Sequence, residues 1–242
     1  MTDRDWRLQT TGNLAQDWLN PWTGQLVPKG TRLTVVTVAK LNSKRTITVP
    51  VPNGSAILLS ASEKAHHRAK SIRTKNKIDT SLKKEIEFST ESEAFDYLED
   101  TIQSIVLAYS AIEAFANEMI PDDYQYSRHI KSEIILETSG KEAIERFVPL
   151  EEKLSVILPE ILKVPSPKAT SRHWSEFKKL KKLRDRIIHM KSADRKSSGP
   201  ENETLWHQLL KPNTPHKQAI DVIRYFTGKM STAPQWIENA KI

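Results

Sequence analysis

A helical repeat of apolar residues that begins near residue 89 constrains the fold more than any other feature of this sequence. Apolar side chains recur there in alternating steps of three and four, which places them on one face of a helix. Thr90 and Glu93 stand at capping-box spacing before the repeat, and Pro121 follows it. The apolar positions are Phe95, Leu98, Ile102, Ile105, Tyr109, Ile112, Ala116 and Met119. The sequence therefore predicts a long amphipathic helix that packs through this face.

Similar patterns predict more helices towards the C-terminus. A helix is predicted to start near Ser139 and to continue through the apolar residues Ile144 and Phe147. Proline is well suited to the first turn of a helix. Further helices are predicted to begin at Pro149, at about Ser171 or His173, and at Pro215, with a short turn at Leu205–Leu210. We expect a mainly α fold, with residues 89–242 forming a helical bundle.

The first 88 residues have a different composition. Thr31–Leu41 and Arg45–Val51 are rich in Thr, Val and Ile, and the segment between them suits a hairpin turn. A third short strand, Ala56–Ser60, is predicted after the Asn53-Gly54 turn dipeptide. Residues 1–88 are therefore interpreted as a small β-containing appendage of unknown role, followed by the helical domain.

Charge and composition restrict the possible partners and location. The 37 Lys and Arg residues exceed the 30 Asp and Glu residues, which gives a formal net charge of +7. Such an excess permits a polyanionic partner. The absence of cysteine excludes disulfides and thiolate zinc sites and is consistent with a reducing compartment. No apolar run approaches the roughly 18 residues of a membrane span, so we expect a cytoplasmic protein with no membrane partner.

One arginine lies where the third long helix should be apolar. On an ideal helix, the apolar residues fall within an arc of about 140°, and Arg184 falls inside that arc. These residues are Phe177, Leu180, Leu183, Ile187 and Ile188. An unpaired buried guanidinium is prohibitively unfavourable, so Arg184 must be paired or lie at a seam that water or another polymer reaches.

Glu113, which flanks the apolar face of the first long helix, is a natural partner for Arg184. Such an ion pair either serves a functional site or only fixes the register of the two helices, and spacing does not decide between these. His189 and Asp185 stand at i and i+4 on the opposite face. Because Arg184 and His189 are about 140° apart on an ideal helix, one helix does not direct both at one point.

Three segments of the chain together resemble the HEPN superfamily (higher eukaryotes and prokaryotes nucleotide-binding domain). They read AYSAIEAFANEMI, EAIERFVPLEEKLSVILPEIL and WSEFKKLKKLRDRIIHMKS. The family signature is an arginine, a polar residue, spacers and a histidine near the end of a helix, as in Arg184-Asp185 through His189. The resemblance covers about residues 90–230 and leaves the first 88 residues unassigned.

The resemblance implies a helical bundle that forms a homodimer through the motif helices and, in many members, a metal-independent endoribonuclease without a cofactor. Arg184 and His189 then correspond to the ends of the motif, Asp185 to its polar second position and Glu113 to an acidic position on the first helix. Two motif copies face each other in the family's dimers, so residues that diverge on one helix can complete a site across the interface. Family members often act as toxins or in phage defence, which implies a neutralising protein partner.

The residue types suit RNA cleavage. RNA supplies its own 2′-hydroxyl nucleophile, histidine exchanges protons near neutral pH, and arginine stabilises charge on phosphate. A basic group beside the motif is a candidate RNA-binding track: Lys178, Lys179, Lys181, Lys182 and Arg186. The alternative is a non-catalytic dimerisation module that binds a protein or nucleotide partner. His66 and His67 are expected at the surface, because adjacent histidines point apart and no third metal ligand is evident.

Overall fold

The chain is mainly helical, as the sequence predicts. The computed structural model describes residues 5–9, 11–21, 23–129, 136–168, 172–238, 240 and 242. The helices are α1 (Gly54–Lys75), α2 (Glu91–Glu118), α3 (Lys141–Phe147), α4 (Leu150–Glu152), α5 (Leu158–Leu162), α6 (Arg172–Ile188), α7 (Leu205–Leu210), α8 (Pro215–Thr227) and α9 (Gln235–Glu238). A π-helical segment, Lys153–Ile157, joins α4 to α5, and a 3₁₀ turn, Ser192–Arg195, follows α6. The predicted helix start at Ser171 lies outside the described residues.

The strands form small antiparallel pairs rather than one sheet. They are β1 (Thr11–Asn13), β2 (Trp18–Leu19), β3 (Leu26–Val27), β4 (Arg32–Thr34), β5 (Val36–Lys40), β6 (Thr46–Pro50), β7 (Tyr126–His129) and β8 (Leu136–Ser139). β1 pairs with β4, β2 with β3, β5 with β6 and β7 with β8. The predicted hairpin is confirmed as β5 and β6, and the Asn42 side chain accepts hydrogen bonds from the backbone of Lys44 and Arg45 in its turn.

Helix α2 is the centre of the bundle and contacts α1, α6, α7 and α8. The Thr90 hydroxyl accepts a hydrogen bond from the Glu93 backbone at 3.2 Å, which caps α2 as predicted. Half of the eight predicted apolar positions are buried, including Ile105 and Ile112 at the middle of the helix, and three more are partly buried. Phe95 is an exception, because it lies in the first turn of α2 and is 60% exposed.

Helix α1 corrects the prediction for the N-terminal region. Asn53 does not lead into a strand at residues 56–60; its side chain accepts a hydrogen bond from the Ala56 backbone at 2.9 Å and caps a helix. The buried face of α1 consists largely of Ser and Ala, and the Ser62 hydroxyl donates to the Ser104 carbonyl at 2.7 Å. Ala56 and Leu59 belong to the same core as α2, so residues before position 88 contribute to the helical bundle.

The segment from α3 to α5 carries a smaller cluster of apolar residues. Ile120, Ile144, Val148 and Ile157 form its buried centre. The predicted starts of these helices are confirmed, with Gly140 as the residue before α3 and Pro149 as the residue before α4. The α4 segment also brings charged residues beside α6, and it thereby forms one side of the candidate site.

Candidate functional site

The motif residues lie at the C-terminal end of α6. Phe177, Leu180 and Ile187 are buried and hold this helix against the bundle. Helix α6 ends at Ile188, and the His189 backbone N–H donates to the Asp185 carbonyl at 2.9 Å. His189 is exposed to solvent immediately after the helix. The prediction that Ile188 faces the core is wrong, since this side chain is 55% exposed at the helix end.

A shallow groove of about 680 Å³ runs along the exposed face of α6. It contains all five predicted RNA-binding residues, together with His189 and Asp185. The lining residues are Ser175, Lys178, Lys179, Lys181, Lys182, Asp185, Arg186, His189 and Lys191. Arg184 and Glu113 do not line it. The structure thus brings together most of the predicted site residues but leaves these two elsewhere.

Carboxylates from α4 and α6 neutralise part of the groove. Lys178 Nζ lies 2.6 Å from Glu151 Oε1, and its hydrogen bond lowers the pKa of the Glu151 carboxyl. Lys181 Nζ lies 3.0 Å from Asp185 Oδ2 and 3.7 Å from Glu151 Oε2. Exposed ion pairs of this kind contribute about 0–1 kcal/mol each, so these lysines remain available for exchange with another anion.

The two lysines on the other edge of the groove differ in their partners. Lys179 Nζ lies 2.8 Å from Glu176 Oε1, and Glu176 also accepts a hydrogen bond from Gln218 on α8. Lys182 is exposed, and within the described part of the chain it forms no ion pair within 4 Å. Lys182 is therefore the lysine of this group whose charge is least compensated.

Arg184 is half-buried between α6 and α2 and does not line the groove, although it contacts Asp185, which does. Its guanidinium carbon lies 3.8 Å from the centre of the Tyr109 ring, and NH1 lies 3.0 Å from Asp185 Oδ1. The predicted ion pair with Glu113 does not form in the described chain. The aromatic face and the neighbouring carboxylate accommodate the charge instead, and they explain why an arginine is tolerated within the apolar arc. The buried Nε atom of Arg184 has no hydrogen-bond partner.

Tyr109, Glu113 and Asn117 follow one another at intervals of four on α2 and form a polar stripe beside Arg184. Glu113 is half-buried and makes no hydrogen bond or ion pair with the residues that the structure describes. Its carboxylate acts on Lys153 through longer-range attraction, which opposes the lowering of the Lys153 pKa by burial. Glu113 is thus an available acceptor at the edge of the α2–α6 seam.

Lys153 is a fully buried cation that the sequence analysis did not identify. Its Nζ donates to Asn117 Oδ1 and to the Glu145 carbonyl, both at 2.8 Å. Burial lowers the pKa of Lys153, although the carboxylates of Glu113 and Glu145 oppose this shift. The residue lies in the π-helical segment, a conformation often found at functional positions. A lysine between Leu150 and Leu154 in an apolar repeat was the available signal.

Arg186 joins α6 to the segment that follows it. Its guanidinium pairs with the carboxylate of Asp194, whose side chain is fully buried. The Asp194 oxygens also accept backbone hydrogen bonds from Leu205 at 2.9 Å and from Lys191 at 2.8 Å. Asp194 was absent from the predicted site, and its contacts place the backbone directly after His189. Arg186 lines the groove, but its charge is already used by this anchor.

The arrangement supports proton exchange and anion binding on one face of α6. His189 is an exposed imidazole among cations and lines the groove, whereas Arg184 packs on Tyr109 of α2 and does not line it. Within the described residues, no group of three or more His, Asp or Glu side chains is arranged to hold a metal ion. None of the helices in that part of the chain is sufficiently long and apolar to cross a membrane.

Comparisons of the chain with protein-family models, with curated proteins and with solved structures gave no significant match.

Proposed function

We propose that the chain is a metal-independent endoribonuclease of the HEPN type that works as a homodimer and requires no cofactor. The observation that carries this proposal is the position of His189, exposed at the end of α6 in a groove with Lys182 and the other predicted RNA-binding lysines. A histidine that only filled space in the core would be buried. The resemblance of the motif segments to the HEPN superfamily supplies the reaction class.

RNA cleavage in this groove uses the 2′-hydroxyl beside the scissile phosphate. His189 exchanges protons with the reacting oxygens, since imidazole titrates near neutral pH. An arginine fork stabilises the negative charge that accumulates on the phosphoryl oxygens. The 2′-oxygen forms a bond to phosphorus as the bond to the 5′-oxygen breaks, which yields a 2′,3′-cyclic phosphate and a 5′-hydroxyl. Asp185 positions the Arg184 guanidinium through their 3.0 Å contact.

A homodimer through α6 explains why the two ends of the motif diverge within one chain. Ile188 and Met190, which flank His189, are 55% and 43% exposed, so the end of α6 presents apolar surface next to the groove. Packing two copies across a two-fold axis would cover these side chains. His189 of one protomer would then lie close to the α2–α6 seam of the other, where Arg184 and Glu113 are available.

The direct test is incubation of total RNA with the protein in EDTA, followed by analysis of the product ends. We expect wild type to release fragments with 2′,3′-cyclic phosphate ends, and H189A and R184A to lose at least about 100-fold in rate. H67A is the matched control, because His67 is another exposed histidine, on α1. Equal cleavage by wild type and H189A, or none by wild type over a broad panel of RNAs, would contradict the proposal.

A non-catalytic dimerisation and partner-binding module is the second candidate, and the ion pairs of the site favour it. Arg184 and Arg186 both contact carboxylates of the same chain, as structural arginines do. This function predicts that R184A lowers the melting temperature strongly while RNA stays intact.

A role in toxin action or phage defence, with a neutralising protein partner, belongs to the first proposal and follows from the resemblance. This role would be supported if expression of the wild-type chain is toxic to cells and expression of H189A is not.

A further inference from the structure

A second cavity lies apart from the groove along α6. It has a volume of about 330 Å³ and is enclosed by α1, α2 and the connection between α7 and α8. The residues that line it are His66, Ala69, Lys70, Arg73, Asp79, Tyr97, Thr101, Pro212, Asn213 and Thr214. None of them lines the α6 groove, so the two features are separate.

Arg73 builds the walls of this cavity. Its NH1 donates to the Tyr97 hydroxyl at 3.1 Å and to the Leu210 carbonyl at 2.7 Å, and its other nitrogens contact Asp79. The Tyr97 hydroxyl in turn donates to the Leu209 carbonyl at 2.9 Å. These bonds tie the end of α7 to α1 and α2. The cavity is therefore preformed by hydrogen bonds, as is usual for ligand sites.

The cavity has an excess of positive charge. Asp79 is the only carboxylate among its lining residues, and it is already bound to Arg73. Lys70 is exposed and forms no ion pair or hydrogen bond with the residues that the structure describes. His66, one turn before Lys70 on α1, adds an imidazole that can donate a hydrogen bond, although burial and the charges of His67, Lys70 and Lys217 lower its pKa. An anion would therefore meet at least one uncompensated cation in this cavity.

The N-terminus of α8 adds the partial positive charge of its backbone N–H groups. Thr214 precedes this 13-residue helix and makes no side-chain capping hydrogen bond. Helix N-termini attract anions through unpaired N–H groups and the helix dipole. In addition, His216 in the first turn is 2% exposed, and its Nδ1 atom has no hydrogen-bond partner among the residues that the structure describes. Its ring lies 4.7 Å from that of His66, which lines the cavity.

We infer that this cavity binds a small molecule that carries a phosphate monoester. A dianionic phosphate matches Lys70, the His66 imidazole and the α8 N-terminus together. The volume is at the lower end of the range for ligand sites, about 300–1,000 Å³, so the organic part of the ligand is small. The apolar surfaces of Ala69 and Pro212 and the Tyr97 ring provide contacts for that part.

Calorimetric titration of the full chain with ribose 5-phosphate tests this inference, with ribose as the uncharged control. We expect ribose 5-phosphate to bind and ribose not to bind. K70Q should weaken binding at least about tenfold, because it removes a charge-assisted contact. K64Q is the matched control and should change binding less than about twofold, since Lys64 is an exposed lysine on the same helix outside the cavity.

Three results would overturn the inference: no binding of ribose 5-phosphate, equal binding of ribose, or equal weakening by K64Q and K70Q. Because Lys70 is exposed, K70Q should retain the wild-type melting temperature, and a melting curve verifies this. The test is independent of RNA cleavage. Ribose 5-phosphate should bind H189A with wild-type affinity even if no ribonuclease activity exists.

Discussion

The guanidinium of Arg184 packs against the face of Tyr109, with 3.8 Å between its central carbon and the ring centre. The contact joins α6 to α2 at the place where an apolar side chain would be expected. Burial raises the pKa of the Tyr109 phenol, whereas the charge of Arg184 opposes that shift. A cation and an aromatic ring thus replace an aliphatic contact in the seam between the two helices.

A double-mutant cycle measures this contact. We expect R184M and Y109L each to destabilise the protein, with a coupling free energy of about 0.5–2 kcal/mol between them. Urea unfolding of the four proteins provides the values. Y109F keeps the ring and should retain most of the coupling. A coupling of zero would show that the ring and the guanidinium do not stabilise each other.

The second prediction concerns Lys153. Replacing it with methionine keeps the volume but leaves Asn117 Oδ1 and the Glu145 carbonyl without their donor. We expect K153M to lower the free energy of unfolding by about 1–3 kcal/mol, since polar groups away from water need partners. The double variant K153M/N117L should recover part of this loss. If K153M alone is as stable as wild type, the buried ammonium makes no net contribution.

The fold was predictable where residues of one type repeat along a single helix at helical spacing. The buried middle of α2 and the grouping of the lysines on one face of α6 follow from spacing alone, because residues three and four apart share a face. Helix α1 was not predicted because its buried face is made largely of Ser and Ala, including Ser62 and Ala65, which do not form an apolar pattern. The Asn53-Gly54 dipeptide also suits both a turn and a helix cap.

The site was predictable to the same extent. The lysines belong to α6 and His189 follows directly after it, so their common groove follows from the geometry of one segment. The Glu113–Arg184 pair required the relative position of two helices, which periodicity does not contain. Lys153 reaches the site from a segment distant in sequence, whereas Asp194 closely follows α6, and the importance of both rests on hydrogen bonds that form only in the folded chain.

RNA affinity should depend unequally on the groove lysines, if the proposed function holds. Lys182 forms no ion pair within 4 Å in the described chain and acts on Glu203 only at longer range, whereas Lys178 is paired with Glu151. We therefore expect K182Q to weaken binding of single-stranded RNA more than K178Q does, and to reduce the salt dependence by about 0.7 in the log–log slope. Fluorescence anisotropy at several salt concentrations measures both. Equal effects of the two variants would indicate that the native ion pairs do not matter for binding.

Asp194 should make the stability depend on pH in acid. Burial disfavours its charged form, but hydrogen bonds from the Leu205 and Lys191 backbones and from Arg186 outweigh burial and lower the pKa. The stabilisation is thus complete above the ordinary carboxyl pKa of 3.8 and is lost as the pH falls through the lowered value. D194N should be less stable than wild type at neutral pH, with a difference that shrinks in acid.

Urea unfolding of wild type and D194N from about pH 6 down to pH 3 tests this sign. E201Q is the control, because Glu201 is an exposed carboxylate in the same connecting segment. It should follow wild type throughout. A stability difference for D194N that is constant across this range would exclude the titration of Asp194 as its cause.

His216 should act with the same sign but at higher pH. Burial, assisted by the neighbouring His66, His67 and Lys217, lowers the pKa of His216 to about 4 from the ordinary value of 6.5. Below about pH 6.5 the unfolded chain takes up a proton at this position that the folded chain does not, so stability falls as the pH decreases towards 4. Between about pH 7 and pH 5 this loss amounts to about 2 kcal/mol.

H216L should lack that part of the dependence, whereas H189Q, which changes an exposed histidine, should retain it. Urea unfolding at intervals across this range measures the slopes, and equal slopes for wild type and H216L would show that the buried imidazole is not the group that titrates.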